Sequence, residues 1–255
     1  MFQLTFKGFL SKAALQREKA KDYRNVVVIQ IFIITLGLVL SEPLLENSQS
    51  GVSKFIITVF STFGAVYAFL LWDLLRNFTT NKIIIIGILI LLFGIVITGI
   101  LIEFPYYQIL HVAGRQTYLL ILHGVLFPIE VTVISYAIHD LFSEGFITSD
   151  KLWGAACVFL MVGISFGSLY DLISTAKPGS LGAEIELGLP NYSECVTYSF
   201  SVLGGIGSDL KPTRLIRNIS VIESVWGGLY SLLIIGKLLG LPRNENENKN
   251  KNQYI

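Results

Sequence analysis

Charge is what this sequence has least of. Only 15% of its 255 residues are Asp, Glu, Lys or Arg, against 53% hydrophobic residues, and the mean hydropathy is +0.64. Soluble domains carry about a quarter charged residues, so ordinary soluble composition is excluded. The net charge is only +1, which removes any global pull toward nucleic acid. Cysteine is scarce too. Cys157 falls in an apolar run and Cys195 in a later loop; two such residues cannot build a disulfide framework and read as unpaired buried thiols. No nucleotide-binding loop, zinc-ligand pattern or serine-nucleophile motif occurs. The chain is therefore not expected to be an enzyme, nor to carry a cofactor or a resident metal. Met1 to Arg24 is mixed basic and apolar with no small-residue cleavage site before the first hydrophobic run, so no removable signal peptide is expected.

Long apolar runs are what is there. A helical span needs roughly 20 mostly apolar residues, because in lipid each segment must satisfy its own backbone. Six runs meet that description, at about Val26 to Leu40, Phe55 to Leu71, Ile83 to Ile102, Tyr118 to Ile138, Leu152 to Ser174 and Ile219 to Leu241. Ser41-Glu42-Pro43 closes the first and Glu103-Phe104-Pro105 the third. With the N-terminus in the cytoplasm, only Lys54, Arg115, Lys177, Lys211, Arg214 and Arg217 of the 19 basic residues fall outside, as the excess of cytoplasmic Lys and Arg requires. Six crossings then return the C-terminus to the cytoplasm. The expected class is an all-α membrane protein with about six spans, in a plasma membrane of bacterial type.

The gap between the last two spans holds a short apolar stretch, too short to cross a bilayer but of re-entrant length. Tyr192 to Leu203 reads as a short helix ending on Gly204-Gly205-Ile206-Gly207-Ser208-Asp209. An ion leaving water must be offered oxygens in place of its hydration shell, and rings of backbone carbonyls from several such loops provide them. Glycine permits the dihedrals that aim successive carbonyls at one axis. The helix would point its negative end at the pore, and Asp209 would add charge at the mouth. Taken alone, a glycine-rich loop between apolar segments is more often a plain turn.

The surrounding register is more specific. Leu152-Trp153-Gly154-Ala155 opens the fifth span, Lys177-Pro178-Gly179-Ser180-Leu181 follows it, and Tyr198-Ser199-Phe200-Ser201-Val202-Leu203 precedes the glycines. Asp209-Leu210-Lys211-Pro212 comes after them, then Arg214, Glu223, Gly227, Tyr230 and Leu239-Gly240. In that order and spacing, the chain from about 147 to 243 resembles the two-helix pore domain of bacterial potassium-channel-like proteins. The resemblance implies an outer helix, a pore helix, a filter and an inner helix, repeated in a homotetramer embedded in the lipid bilayer and passing potassium, sodium or both. Gly204 would take the innermost position, and Gly205, Ile206 and Gly207 would supply carbonyls. Tyr198 and Glu223 would support the pore, with Glu223 pairing behind the filter. The family typically reads Thr-Thr-Val-Gly-Tyr-Gly-Asp where this chain is one residue shorter and has glycines for both threonines. A filter without those hydroxyls should discriminate weakly between potassium and sodium.

The resulting organisation is a cytoplasmic segment 1–24, a four-span scaffold 25–146, a pore domain 147–243 and a disordered cytoplasmic tail 244–255. The fourth span lacks the spaced Arg or Lys of a voltage sensor. Its Glu130 and His123 are ionisable groups at membrane depth, read equally as a proton sensor or as a structural hydrogen bond. Gly227-Gly228 is either a gating hinge or a site of close helix packing, with packing preferred. Two rival functions stand beside the channel. One is a non-conducting membrane subunit with a degenerate pore loop. The other is an intramembrane aspartyl protease using Asp171 and Asp209, although Ser208 separates the glycine motif from Asp209.

Overall fold

The computed structural model describes residues 20–36, 51–79, 81–103, 114–142 and 149–239. Among these residues all regular structure is helical. The chain forms α1 (20–36), α2 (Gly51–Phe78), α3 (Lys82–Glu103), α4 (Arg115–Phe142), α5 (Ser149–Ala176), α6 (Leu189–Leu203) and α7 (Arg214–Leu239). The N-terminal segment before residue 20, Ser41-Glu42-Pro43, Phe104-Pro105, the proposed domain boundary at 146/147, Gly240 and the C-terminal tail lie outside the described residues. Helices α4, α5 and α7 are long and apolar enough to cross a membrane, and with the composition they make this an all-α membrane protein.

Each helix with a described start begins before its apolar run. The run at Tyr118 to Ile138 becomes a helix from Arg115 to Phe142, since polar residues are tolerated where a span leaves the hydrocarbon. Pro128 sits inside α4. Beyond it the Thr132 and Ser135 hydroxyls turn back onto the Pro128 and Val131 carbonyls, both at 2.7 Å, so these hydroxyls are satisfied within the helix. The most apolar helix, α3, is held against α2 by Trp72 Nε1 donating to the Ile85 carbonyl at 2.9 Å. It leaves Ile83, Ile90 and Phe93 more than half exposed, which lipid tolerates.

Side-chain ties fix the helix directions. At one end, Asn77 Nδ2 donates to Asp22 at 2.8 Å, the Tyr23 hydroxyl donates to Asp140 at 3.5 Å, and the Tyr23 ring lies over Gly154. The start of α1, the ends of α2 and α4 and the start of α5 therefore lie together. At the other end Gln116 Nε2 donates to the Thr175 carbonyl at 2.7 Å. The Tyr230 hydroxyl donates to the Ala155 carbonyl at 2.9 Å, placing the end of α7 beside the start of α5. Helices α1 to α5 thus alternate in direction, while α6 and α7 run parallel to each other and antiparallel to α5, and α5 is packed against α4, α6 and α7.

Candidate functional site

The helix α6 is 15 residues long, about 22 Å at 1.5 Å per residue, and so shorter than the roughly 30 Å hydrocarbon core. It starts three residues before the expected Tyr192 because Pro190 falls in its first turn, where the missing N–H costs no helical bond. Its buried face carries Asn191, Ser193, Cys195, Tyr198 and Ser199. Cys195 corrects the sequence reading: it lies in this helix rather than in a loop, and it is a fully buried free thiol, as is Cys157 in α5.

Close backbone approach holds α6 to α5. A Cβ on Gly167 would stand 2.6 Å from Val196 Cγ2 and 2.8 Å from Val196 Cα, and one on Gly163 would stand 2.6 Å from the Phe200 ring. These glycines are four apart, the small-xxx-small spacing that lets membrane helices approach. The spacing is visible in the sequence as Gly163-x-x-x-Gly167.

Behind the loop, three helices meet on one carboxylate. The Tyr170 hydroxyl of α5 donates to Glu223 Oε2 of α7 at 2.5 Å, and the Ser199 hydroxyl of α6 lies against Glu223 Oε1 and 2.7 Å from the Gly163 carbonyl. Tyr198 packs edge-on against Tyr170, ring centroids 5.2 Å apart at 74°. The two expected support residues, Glu223 and Tyr198, are therefore brought together, with Tyr170 between them. The next residue of α5, Asp171, is fully buried and accepts from Asn191 Nδ2 at 2.6 Å. Its other oxygen meets His123 Nδ1 of α4, while the Ser174 hydroxyl donates to Asn191 Oδ1 at 2.9 Å. His123 thus pairs with Asp171, a partner that its position on α4 did not reveal.

At its C-terminus α6 closes in a Schellman turn. Gly204 ends the helix at φ −77°, Gly205 takes φ +65°, and the N–H groups of Gly205 and Ile206 donate to the Val202 and Ser201 carbonyls at 3.2 and 3.0 Å. Gly207 is again left-handed at φ +82°, which only glycine adopts without strain. Ser208 Oγ accepts from the Leu210 N–H at 3.2 Å. All six residues from Gly204 to Asp209 are exposed, and Ile206 is 85% exposed. The turn satisfies two of the last carbonyls of α6, so the negative helix end is partly used by the chain itself. Helix α7 runs unbroken through Gly227 and Gly228. Gly227 faces Leu203, whose Cδ2 would lie 2.7 Å from an added Cβ, whereas Gly228 faces open space.

Asp171 and Asp209 stand in unlike settings. The first is enclosed with both oxygens engaged, the second is exposed on the loop. No family model matches the chain, and no curated protein or solved structure shows significant similarity to it.

Proposed function

We propose that this chain is one subunit of a membrane pore for monovalent cations, with α5 as outer helix, α6 as re-entrant pore helix and α7 as inner helix. The observation that carries the reading is α6 itself: a buried helix too short to span, wedged between two spanning helices and ending on an exposed glycine turn. The alternating directions of α1 to α5 and α7 support six crossings with both termini on the cytoplasmic side. Helix α7 supports assembly. Its buried positions Ile216, Ser220, Glu223, Gly227 and Tyr230 form one stripe, while Val221, Ile222, Val225, Leu229, Leu232 and Leu233 are each more than half exposed. A closed cyclic assembly of four chains would turn part of that surface, and Ile206, toward the common axis.

Conduction is passive in this reading. Carbonyls of Gly205, Ile206 and Gly207 replace part of the hydration shell, Gly204 lies innermost and Asp209 attracts cations at the mouth. With no threonine hydroxyls, the loop passes potassium and sodium with little preference. The test is ion flux into liposomes holding the full chain. Potassium or sodium uptake that falls in Asp209→Ala and in Gly205→Ala supports the pore. Absence of flux for both ions leaves the non-conducting subunit as the function, and peptide cleavage lost in Asp171→Ala would replace the pore with the protease.

A further inference from the structure

Three carboxyl groups are buried among the described helices, and two are accounted for by Asp171 with His123 and Asn191 and by Glu223 with Tyr170 and Ser199. The third is Glu130, near the midpoint of α4 and 6% exposed. Ser168 of α5 hydrogen-bonds with its carboxyl, but Oε2 has no partner. Two further buried side chains carry unpartnered atoms and connect to it through Tyr67. Both amide atoms of the fully buried Gln30 on α1 lack a hydrogen bond, and so does the Tyr67 hydroxyl on α2. These are one group rather than scattered defects. Tyr67 interacts electrostatically with Glu130 and faces Gln30, yet no hydrogen bond of normal geometry joins them. Ser168 connects the group to Tyr192 of α6, and the neighbouring core, including Ala68, Ile129 and Val133, is apolar.

Buried polar atoms in a native protein are satisfied by protein, by water or by a bound ion, and in hydrocarbon the penalty for leaving them alone is larger still. A proton on Glu130 neutralises one oxygen and leaves Gln30 and Tyr67 as they are. Three oxygens carrying one negative charge, brought from α1, α2 and α4, are the donor set of a hard monovalent cation. A divalent ion is not matched by one carboxylate, and no group of three His, Cys, Asp or Glu among the described residues is placed to hold one. We infer that Gln30 Oε1, the Tyr67 hydroxyl and Glu130 Oε2 form a buried site for a small alkali cation, with a water completing the shell and accepting from Gln30 Nε2. The site lies in the helices that precede α5, so it stands whether or not the glycine loop conducts.

The experiment is thermal unfolding of the full chain in lipid nanodiscs, in sodium or potassium chloride against choline chloride at fixed pH and ionic strength. A saturable rise in Tm with either alkali ion supports the site, and the ion with the larger effect identifies its size. Glu130→Gln should abolish that rise, and Tyr67→Phe should weaken the apparent ion affinity about tenfold, with the rise following site occupancy. Glu223→Gln should leave the ion dependence in place, which separates this site from effects at the pore loop. If Glu130→Gln does not fold, Tyr67→Phe and Gln30→Leu carry the same test. No alkali dependence, a dependence unchanged in these variants, or stabilisation by acid alone would overturn the assignment.

Discussion

Around Glu223, α5, α6 and α7 meet in a network in which each carboxylate oxygen has a hydroxyl partner, whereas around Glu130, α1, α2 and α4 converge on polar atoms that have no partner within the protein. Both carboxyls are buried and both sit on long apolar helices. The difference is in what surrounds them, and it separates two uses of buried polarity. A satisfied carboxylate ties elements into fixed positions, because each hydroxyl that meets it would lose an acceptor without it. An unsatisfied one leaves polar atoms that the helices do not pair among themselves, which in the cation-site proposal is where the ion sits. The first kind lies directly behind the glycine turn, where a pore would need rigidity. The second lies in the scaffold.

The largest effect that would sharpen this contrast is Glu223→Ala. It strands the Tyr170 hydroxyl, leaves Ser199 with only the Gly163 carbonyl and opens a cavity, and should cost about 3 kcal/mol, from one buried unsatisfied group at roughly 1–3 kcal/mol plus the lost packing. Denaturant unfolding in mild detergent reads it, and a cost no greater than that of Glu130→Ala in choline buffer would break the comparison. Next is Gly167→Val. Its branched side chain must displace the Val196 backbone, and overpacking of this kind costs about 1–3 kcal/mol. Reduced stability with loss of any flux is the expected outcome, whereas wild-type unfolding would mean that α5 and α6 are not in such close contact.

Tyr170→Phe removes one hydrogen bond to Glu223 and keeps the ring against Tyr198. A loss of about 1.5 kcal/mol is expected for a bond to a charged acceptor, again by unfolding. The smallest effect is Gly228→Ala. This glycine faces open space, so alanine should stabilise α7 by up to about 1 kcal/mol through helix propensity and leave flux unchanged. Altered opening in that variant would restore the hinge reading of Gly227-Gly228.

Much of the architecture was legible in the sequence because membrane helices are written as runs. The six apolar stretches correspond to α1 to α5 and α7, and the end of α6 at Leu203 follows from the two glycines after it. The start of α6 was less clear, since Gly188-Leu189-Pro190 looks like a turn until Pro190 is recognised as a first-turn residue. The polar networks were not legible as networks. His123 and Asp171 are 48 residues apart, Tyr170 and Glu223 are 53 apart, and Gln30, Tyr67 and Glu130 come from three helices. No local period relates such partners, because they are joined only when the helices pack. Glu223 was placed by its register in the pore-domain resemblance, and Glu130 by its isolation in an apolar run. The Schellman geometry of Gly204, Gly205 and Ile206 also emerges only from the backbone, where a glycine-rich run gains a helix-capping role beside its proposed place in a filter.

The central claim is that the turn from Gly204 to Asp209 lines a path for monovalent cations with weak discrimination. A planar-bilayer recording of the full chain, with potassium on one side and sodium on the other, tests it most directly. The account predicts a measurable current that reverses near zero voltage. A membrane that stays silent in both directions, with correctly folded protein present, would contradict it.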